Sequence, residues 1–396
     1  MSLYLRSSYI NFINMDFFLI DISLSVMKHK YREKIMISKY LAKIAFITIT
    51  IVLLQGSCVA ANNKKFITEI DNLLIEKFKP NNTGAVFLVS KEGVPIYRKA
   101  FGKSNLELAV DMKPNNVFQI GSMTKQFTAI SILMLHEQGK LDVNNNIIMY
   151  LPDYPNGNNI TVHHLLTHTS GIKDFTKMKA LWAVAKKDHS PKELVDFFKN
   201  EQVDFIPGEK FKYNNSGYAI LGHIIELVSG KSYEDFVEKH IFEAIGMTDS
   251  RYANDREVIK NRASGYHEKG QYTNKMMVSL TIPYSSGSLM STVDDLLKWQ
   301  QALNSNQLLK QSNIDKAFSQ YVLNNGEKLT YGYGWHLKDL GTVPIREHGG
   351  SIFGFKSMGV YVPSLDVYVL GLTNCDCNSP TQITRDIAAL AIKAGL

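Results

Sequence analysis

The stretch FQIGSMTKQFTAISILMLHEQGK, residues 118–140, reads as a strand end, a turn and a long apolar helix. From Phe127 the helix is apolar on nearly every side, through Ala129, Ile130, Ile132, Leu133, Met134 and Leu135, and such a helix belongs in an interior. Its entrance nonetheless carries Ser122 and, three residues on, Lys125. Residues three apart share a helix face, so hydroxyl and amine are predicted to touch. Burial penalises an ammonium and lowers its pKa, and a neutral amine can take a proton from a serine. Ser122 also stands at the helix N-terminus, where free N–H groups favour a developing negative charge. The pair therefore reads as a candidate nucleophile, Ser122, with Lys125 as its base. The competing reading is an N-cap serine followed by a lysine that snorkels to solvent, and Ser-x-x-Lys alone does not exclude it. The same spacing recurs at Ser25/Lys28 and at Ser170/Lys173, the latter interrupted by Gly171.

Outward from this helix, KKFITEIDNLLIEKFK (64–79) sets Phe66, Ile67, Ile70, Leu73, Leu74 and Phe78 at helical spacing. TGAVFLVSKEGVPIYRKAFG (83–102) is a hairpin of two apolar strands joined by Lys91-Glu92-Gly93. At the other end, TYGYGWHL (330–337), VPIREHGG (343–350), FKSMGVYVP (355–363) and LDVYVLGLTN (365–374) are four strand candidates, closed by a helix, ITRDIAALAIKAG (383–395). Between the two ends the period is helical over 122–139, 191–199, 216–229, 232–244 and 293–304. The predicted class is therefore α+β. One antiparallel sheet with flanking helices is assembled from both chain ends, about 64–120 and 300–396, and a mostly helical lobe, about 121–299, is inserted between them.

The 396 residues are 45% hydrophobic and 20% charged, an ordinary globular composition. The formal charge is +7, of which residues 1–60 carry +4, so the remainder is too nearly neutral to indicate a nucleic-acid partner. MISKYLAKIAFITITIVLLQGSCVAA (36–61) places Lys39 and Lys43 before an apolar run from Ile44 to Leu54 and small residues ending at Ala60. That is the pattern of a secretory signal peptide over 36–60, with an exported, periplasmic or secreted product expected. An uncleaved anchor is the alternative, and Gln55-Gly-Ser-Cys58 is a lipobox-like variant with Gln where a Leu-like residue belongs. Any membrane attachment is therefore expected only through this leader or a lipid anchor. Residues 1–35 form an upstream extension set aside from fold reasoning. Of three cysteines, Cys375 and Cys377 lie two apart, a spacing that disfavours a bridge on an extended strand.

Two further segments carry candidate chemistry. In KFKYNNSGYAILGHIIELVSG, Tyr213 and Asn215 stand in a turn before an amphipathic helix, though Tyr-x-Asn alone is equally a packing Tyr and a cap. In REHGGSIFGFKS, His348-Gly349-Gly350 stands on a predicted strand, where glycines mark a bulge or the close approach of another backbone or a ligand. A surface histidine at a glycine-rich strand end is the plainer reading.

Ser122-Met-Thr-Lys125, Tyr213-Asn-Asn215 and His348-Gly-Gly350, in this order and 91 and 135 residues apart, together resemble the serine β-lactamase and penicillin-binding superfamily. The likeness is to its class C-like branch, which includes D-Ala-D-Ala carboxypeptidases, esterases and β-lactamase-related serine hydrolases. It covers about residues 64–396, and LLTHTSGI (165–172) adds to it. The resemblance implies a sheet lobe and a helical lobe with the active site between them, and no cofactor or metal. It implies that Ser122 is acylated, Lys125 accepts its proton, Tyr213 shuttles protons to the leaving group and Asn215 orients the substrate amide. His348 would face the nucleophile beside Gly349 and Gly350, and the oxyanion hole would be the backbone N–H of Ser122 and of Ser351. Substrates would be a small ester, a peptide or a β-lactam, with peptidoglycan as a further partner. A penicillin-recognising sensor that does not turn over is the alternative from another class.

The chain departs from true class C β-lactamases, which carry Lys where His348 stands. Histidine is mostly neutral at pH 7 and anchors a β-lactam carboxylate poorly, so an ester or D-amino-acid peptide is the expected substrate and β-lactam turnover is expected to be weak. Arg346, two residues earlier on the same strand face, is a candidate for the missing charge, a solvated edge residue being the plainer reading. His164 and His168 in HHLLTH have zinc-compatible spacing but lack the Glu of His-Glu-x-x-His. No G-x-S-x-G and no glycine-rich phosphate loop occurs.

Overall fold

The computed structural model describes the backbone of residues 5–396, and side chains outside 1–19, 45 and 47–63. The apolar run of the expected leader, Ile44 to Leu54, falls mostly on side chains outside that description. Among the described residues no helix is long and apolar enough to cross a membrane. The chain divides into two units, 1–65 and 66–396. The first is helical, and helix α1 (Leu5–Lys77) ends in the second with the turns that carry Phe66, Ile70 and Leu74.

The second unit is built on six antiparallel strands. β1 (Ala85–Lys91) and β2 (Val94–Phe101) form the expected hairpin, turned by Glu92 and Gly93, both at positive φ as a two-residue loop of this hand requires. The chain's end supplies β3 (His336–Leu340), β4 (Val343–Ile352), β5 (Phe355–Val362) and β6 (Val367–Thr373). The strand order is β3-β4-β5-β6-β1-β2, so the first hairpin closes onto the last strand in register, Ala85 opposite Thr373. Alternate residues of the buried strands feed two cores. Phe87, Val89, Val360 and Val369 pack with α1 and with the closing helix α5 (Thr381–Ala394). Val86, Leu88, Leu370 and Leu372 join the larger core of the helical region, which holds α2 (Thr124–Glu137), α3 (Asn215–Ser229) and α4 (Val293–Asn304). Every residue of α2 from Thr124 to Leu133 is buried, as its all-round apolar pattern predicts.

Two expectations are corrected. Of TYGYGWHL only His336 and Leu337 enter a strand, because the preceding residues wrap onto the start of α2 instead. A Cβ on Gly334, at φ +89, would lie 3.1 Å from the Lys125 carbonyl, so this segment has contact, not ladder pairing, as its role. Cys375 and Cys377 are joined as a disulfide with Cα atoms 5.1 Å apart. The expectation assumed an extended strand, whereas β6 stops at Thr373 and the two cysteines lie in the turn beyond it.

Candidate active site

Ser122 lies in a short 3-10 turn, Gly121–Met123, immediately before α2. That turn is seated on β4. A Cβ on Gly121, at φ +52, would meet the Ser351 backbone nitrogen at 2.9 Å, and one on Gly350 would meet the Ile120 carbonyl oxygen at 2.0 Å. Glycine at both places lets the backbone beside Ser122 touch the strand. Ser122 and Ser351 consequently line one cleft of about 360 Å³, together with Asn215, Thr176 and Ser286.

Lys125 is fully buried, and its Nζ has three partners: Ser122 Oγ at 3.2 Å, Asn215 Oδ1 at 2.8 Å and the Ser286 carbonyl at 2.9 Å. Ser122 is not a side-chain cap of the helix. Burial pulls the Lys125 pKa down from 10.5 to about 7, against an upward pull from the Asp174 carboxylate. The Asn215 amide is held in one sense because its Nδ2 donates to Thr176 Oγ1 at 3.2 Å and faces Asp174 Oδ2 at 3.5 Å. A neutral amine has two hydrogens and one lone pair. The Asn215 and Ser286 oxygens are acceptors only and take both hydrogens, so the lone pair is left for the Ser122 O–H.

Tyr213 stands against this pair. The Lys125 ammonium position is 4.8 Å from its ring centre, and its hydroxyl is buried with no hydrogen-bond partner in range. Burial raises this phenol's pKa far above its ordinary value. Tyr213 is fixed from behind by His168, whose ring packs tilted against it with centres 4.3 Å apart. His168 Nδ1 accepts the Asn214 N–H at 3.1 Å, which pins the residue before Asn215, while Asn214 itself caps α3 through Gly217 N.

His348 is beside Tyr213, 6.1 Å between ring centres, but does not line the cleft. It is buried, with Nδ1 at 2.6 Å from the Gly349 carbonyl and Nε2 at 3.0 Å from the Tyr331 hydroxyl. Since a carbonyl only accepts, Nδ1 carries the hydrogen and Nε2 receives that of Tyr331. Burial first, then His336 and Lys125, hold the ring far below its usual pKa and therefore neutral. Arg346 is likewise absent from the cleft. Its guanidinium stacks on Phe318 at 3.8 Å in a separate depression formed with Leu337, Pro344 and Pro363. Arg346 and Gly350 share a strand face, but four residues of strand separate them by about 13 Å.

Sequence reasoning did not find Asp174, Thr176 or the Ser286 carbonyl. Asp174 caps the turn at Phe175–Lys177 through Thr176 N, an Asx signal visible in SGIKDFTK. Ser286 belongs to a turn, Tyr284–Gly287, whose first residue has φ +41 and is tied by its hydroxyl to Glu226 at 2.7 Å. His164 Nδ1 is used by the Thr161 N–H, and among the described residues no group of three or more His, Cys, Asp or Glu side chains is placed to hold a metal.

Comparison with known proteins agrees with this geometry. Residues 70–393 match the family described as Beta-lactamase. Penicillin-binding protein 4* of Bacillus subtilis (strain 168) is 32% identical over 318 residues, covering 75% of this chain and 68% of that protein. Protein flp of Staphylococcus aureus (strain N315) is 26% identical over 315 residues, and the chain spans only 59% of its length. Among solved structures, the octameric penicillin-binding protein homologue from Pyrococcus abyssi superposes with a TM-score of 0.72 at 29% identity, over 83% of this chain and 77% of that one. The D-amino acid amidase of Ochrobactrum anthropi SV3, complexed with L-phenylalanine amide, shares the fold at a TM-score of 0.71 and 23% identity, over 84% and 98% of the two chains. With a match that runs over nearly all of the second unit, this chain belongs to the Beta-lactamase family and is a serine hydrolase.

Proposed function

We propose that the protein forms an acyl-enzyme on Ser122 and hydrolyses an ester or a D-amino-acid peptide or amide, with weak β-lactam turnover at most. The observation that carries this reading is the Lys125 amine, buried, brought to about neutral pKa and left with a lone pair toward Ser122. In the proposed sequence, Ser122 Oγ attacks the substrate carbonyl carbon while its proton passes to Lys125 Nζ. The oxyanion lies against the backbone N–H groups of Ser122 and Ser351, which line the same cleft. Tyr213, kept as a neutral phenol by burial, relays a proton from Lys125 to the departing alcohol or amine as the carbonyl re-forms. Water then attacks the ester on Ser122, the same amine taking its proton, and Ser122 regains its hydrogen as the acid leaves.

The name of the relative penicillin-binding protein 4* supports a substrate of this kind, and peptidoglycan is proposed as a further partner. The reading extends to export through the leader at 36–60. Intact mass after exposure to a fluorophosphonate, in the unaltered chain and in Ser122→Ala, tests the mechanism. An adduct confined to the unaltered chain, with turnover of p-nitrophenyl esters, is the expected result. A long-lived penicillin adduct without ester turnover would identify a sensor, and no adduct on Ser122 defeats both.

A further inference from the structure

Asp376 is the one charged residue among those lining the Ser122 cleft. The rest of that lining is glycine, proline, small polar groups and an apolar wall of Leu181, Trp182, Ile282, Ile352 and Phe353, with Trp182 and Phe353 meeting edge to face. The cleft thus offers a carboxylate and no cation, since Lys125 is enclosed beneath it and Arg346 lies elsewhere. Asp376 is also held in place. Its Oδ2 is 2.5 Å from His267 Nδ1, and His267 Nε2 accepts the Met276 N–H at 3.0 Å. With Nε2 occupied as an acceptor, the ring's hydrogen is on Nδ1, so His267 donates to the carboxylate while leaving its negative charge in place. The Asp376 N–H donates to the Tyr266 carbonyl, and the Cys375–Cys377 bridge closes the turn around it.

We propose that Asp376, oriented by His267, selects substrates that carry an ammonium group close to the scissile carbonyl and disfavours those that carry a carboxylate there. The inference deepens the hydrolase reading above and rests on it. Of the substrates that reading allows, it singles out D-aminoacyl amides and esters with a free α-amino group, their side chain against the apolar wall. It also gives a reason for poor β-lactam turnover independent of residue 348: a β-lactam carboxylate entering this cleft would meet a like charge and no cation.

The test compares, on the full chain, a D-aminoacyl p-nitroanilide bearing a free amine, its N-acetyl counterpart and its N-succinyl counterpart, alongside a neutral p-nitrophenyl ester. The expected order of kcat/KM is ammonium, then neutral, then carboxylate, with about tenfold to a hundredfold between the first two, as for a charge-assisted hydrogen bond. Asp376→Asn is expected to compress that ratio to near one and Asp376→Glu to restore part of it, which loss of folding alone would not do. Equal rates on charged and neutral substrates in the unaltered chain, or an undiminished ratio in Asp376→Asn, overturn the assignment. If the unaltered chain neither hydrolyses the neutral ester nor acquires a fluorophosphonate adduct on Ser122, the underlying hydrolase reading falls instead.

Discussion

Lys125 Nζ and Asn215 Oδ1 lie 2.8 Å apart across 90 residues of sequence, joining the first turn of α2 to the first residue of α3. This contact, with the Ser286 carbonyl, uses up the hydrogens of a neutral amine and so directs its lone pair at Ser122. In the proposed mechanism the protonation state of this one buried group therefore governs the site.

The rate should follow that group. Because in the proposed mechanism the amine must be neutral to accept the Ser122 proton, kcat/KM for a neutral ester is expected to rise with pH, with its midpoint near 7. One unit below the midpoint the neutral fraction, and the rate, fall to about a tenth. A pH profile on p-nitrophenyl acetate checks this, and a flat profile from pH 5.5 to 9 contradicts it.

Asp174 pulls the Lys125 pKa upward through its charge. Asp174→Asn removes that pull, so the ascending limb should move to lower pH. The same substitution also loosens the Asn215 amide, which faces Asp174 Oδ2, and kcat at the plateau should fall as well. Both parameters come from one pH series, and a limb displaced to higher pH would reverse the assigned sign.

Stability should carry the same signature. Between about 7 and 10.5 the unfolded chain holds a proton on this amine that the native state lacks, so the group contributes stability that grows with pH and is lost as pH falls through the folded value. The slope is about 1.4 kcal/mol per pH unit. Replacing the amine by Lys125→Met should abolish turnover, and its effect on unfolding free energy should shift toward stabilising by about 2–3 kcal/mol between pH 9 and pH 7. Urea unfolding of both proteins at the two pH values measures the difference, free of the constant cost of orphaning Asn215 and Ser286.

Substituting His348→Lys, to supply the cation of true class C enzymes, should not create a β-lactamase. The position is buried against His336, Tyr331 and Tyr213 and does not line the cleft. An added ammonium there is an unpaired buried charge next to Lys125, with an expected loss of about 3–5 kcal/mol. A lowered Tm with nitrocefin turnover still at or below that of the unaltered chain is the expected outcome.

Gly350→Ala should separate the nucleophile turn from β4. The added Cβ would fall 2.0 Å from the Ile120 carbonyl oxygen, far inside contact distance, so one backbone must move. Since Ile120 leads into the Ser122 turn, kcat is expected to drop by about a hundredfold or more, from displacement of the order of 1 Å between the Ser122 and Ser351 N–H groups. Active-site labelling kinetics with a fluorophosphonate report the acylation step directly.

Periodicity alone located the principal helices and the strands that close the sheet, because residues along one element report its own buried face. Within that reach the sequence also determined the Ser122–Lys125 pair, a local relation of one helical turn, and its burial, since α2 has no polar face to present to water. The Glu92-Gly93 turn belongs to the same local class, whereas the cap of α3 is Asn214, one residue before the Asn215 of the Tyr-x-Asn reading. Tertiary packing alone decided where His348 and Arg346 point: Arg346 shares the strand face of His348, yet rise along the strand puts His348 beside Tyr213 and Arg346 on Phe318. Asp174, the Ser286 carbonyl and Asp376 were invisible for a related reason. Each reaches the site from a turn 40 or more residues away from its partner, and no spacing rule extends across a distance that only the folded core closes.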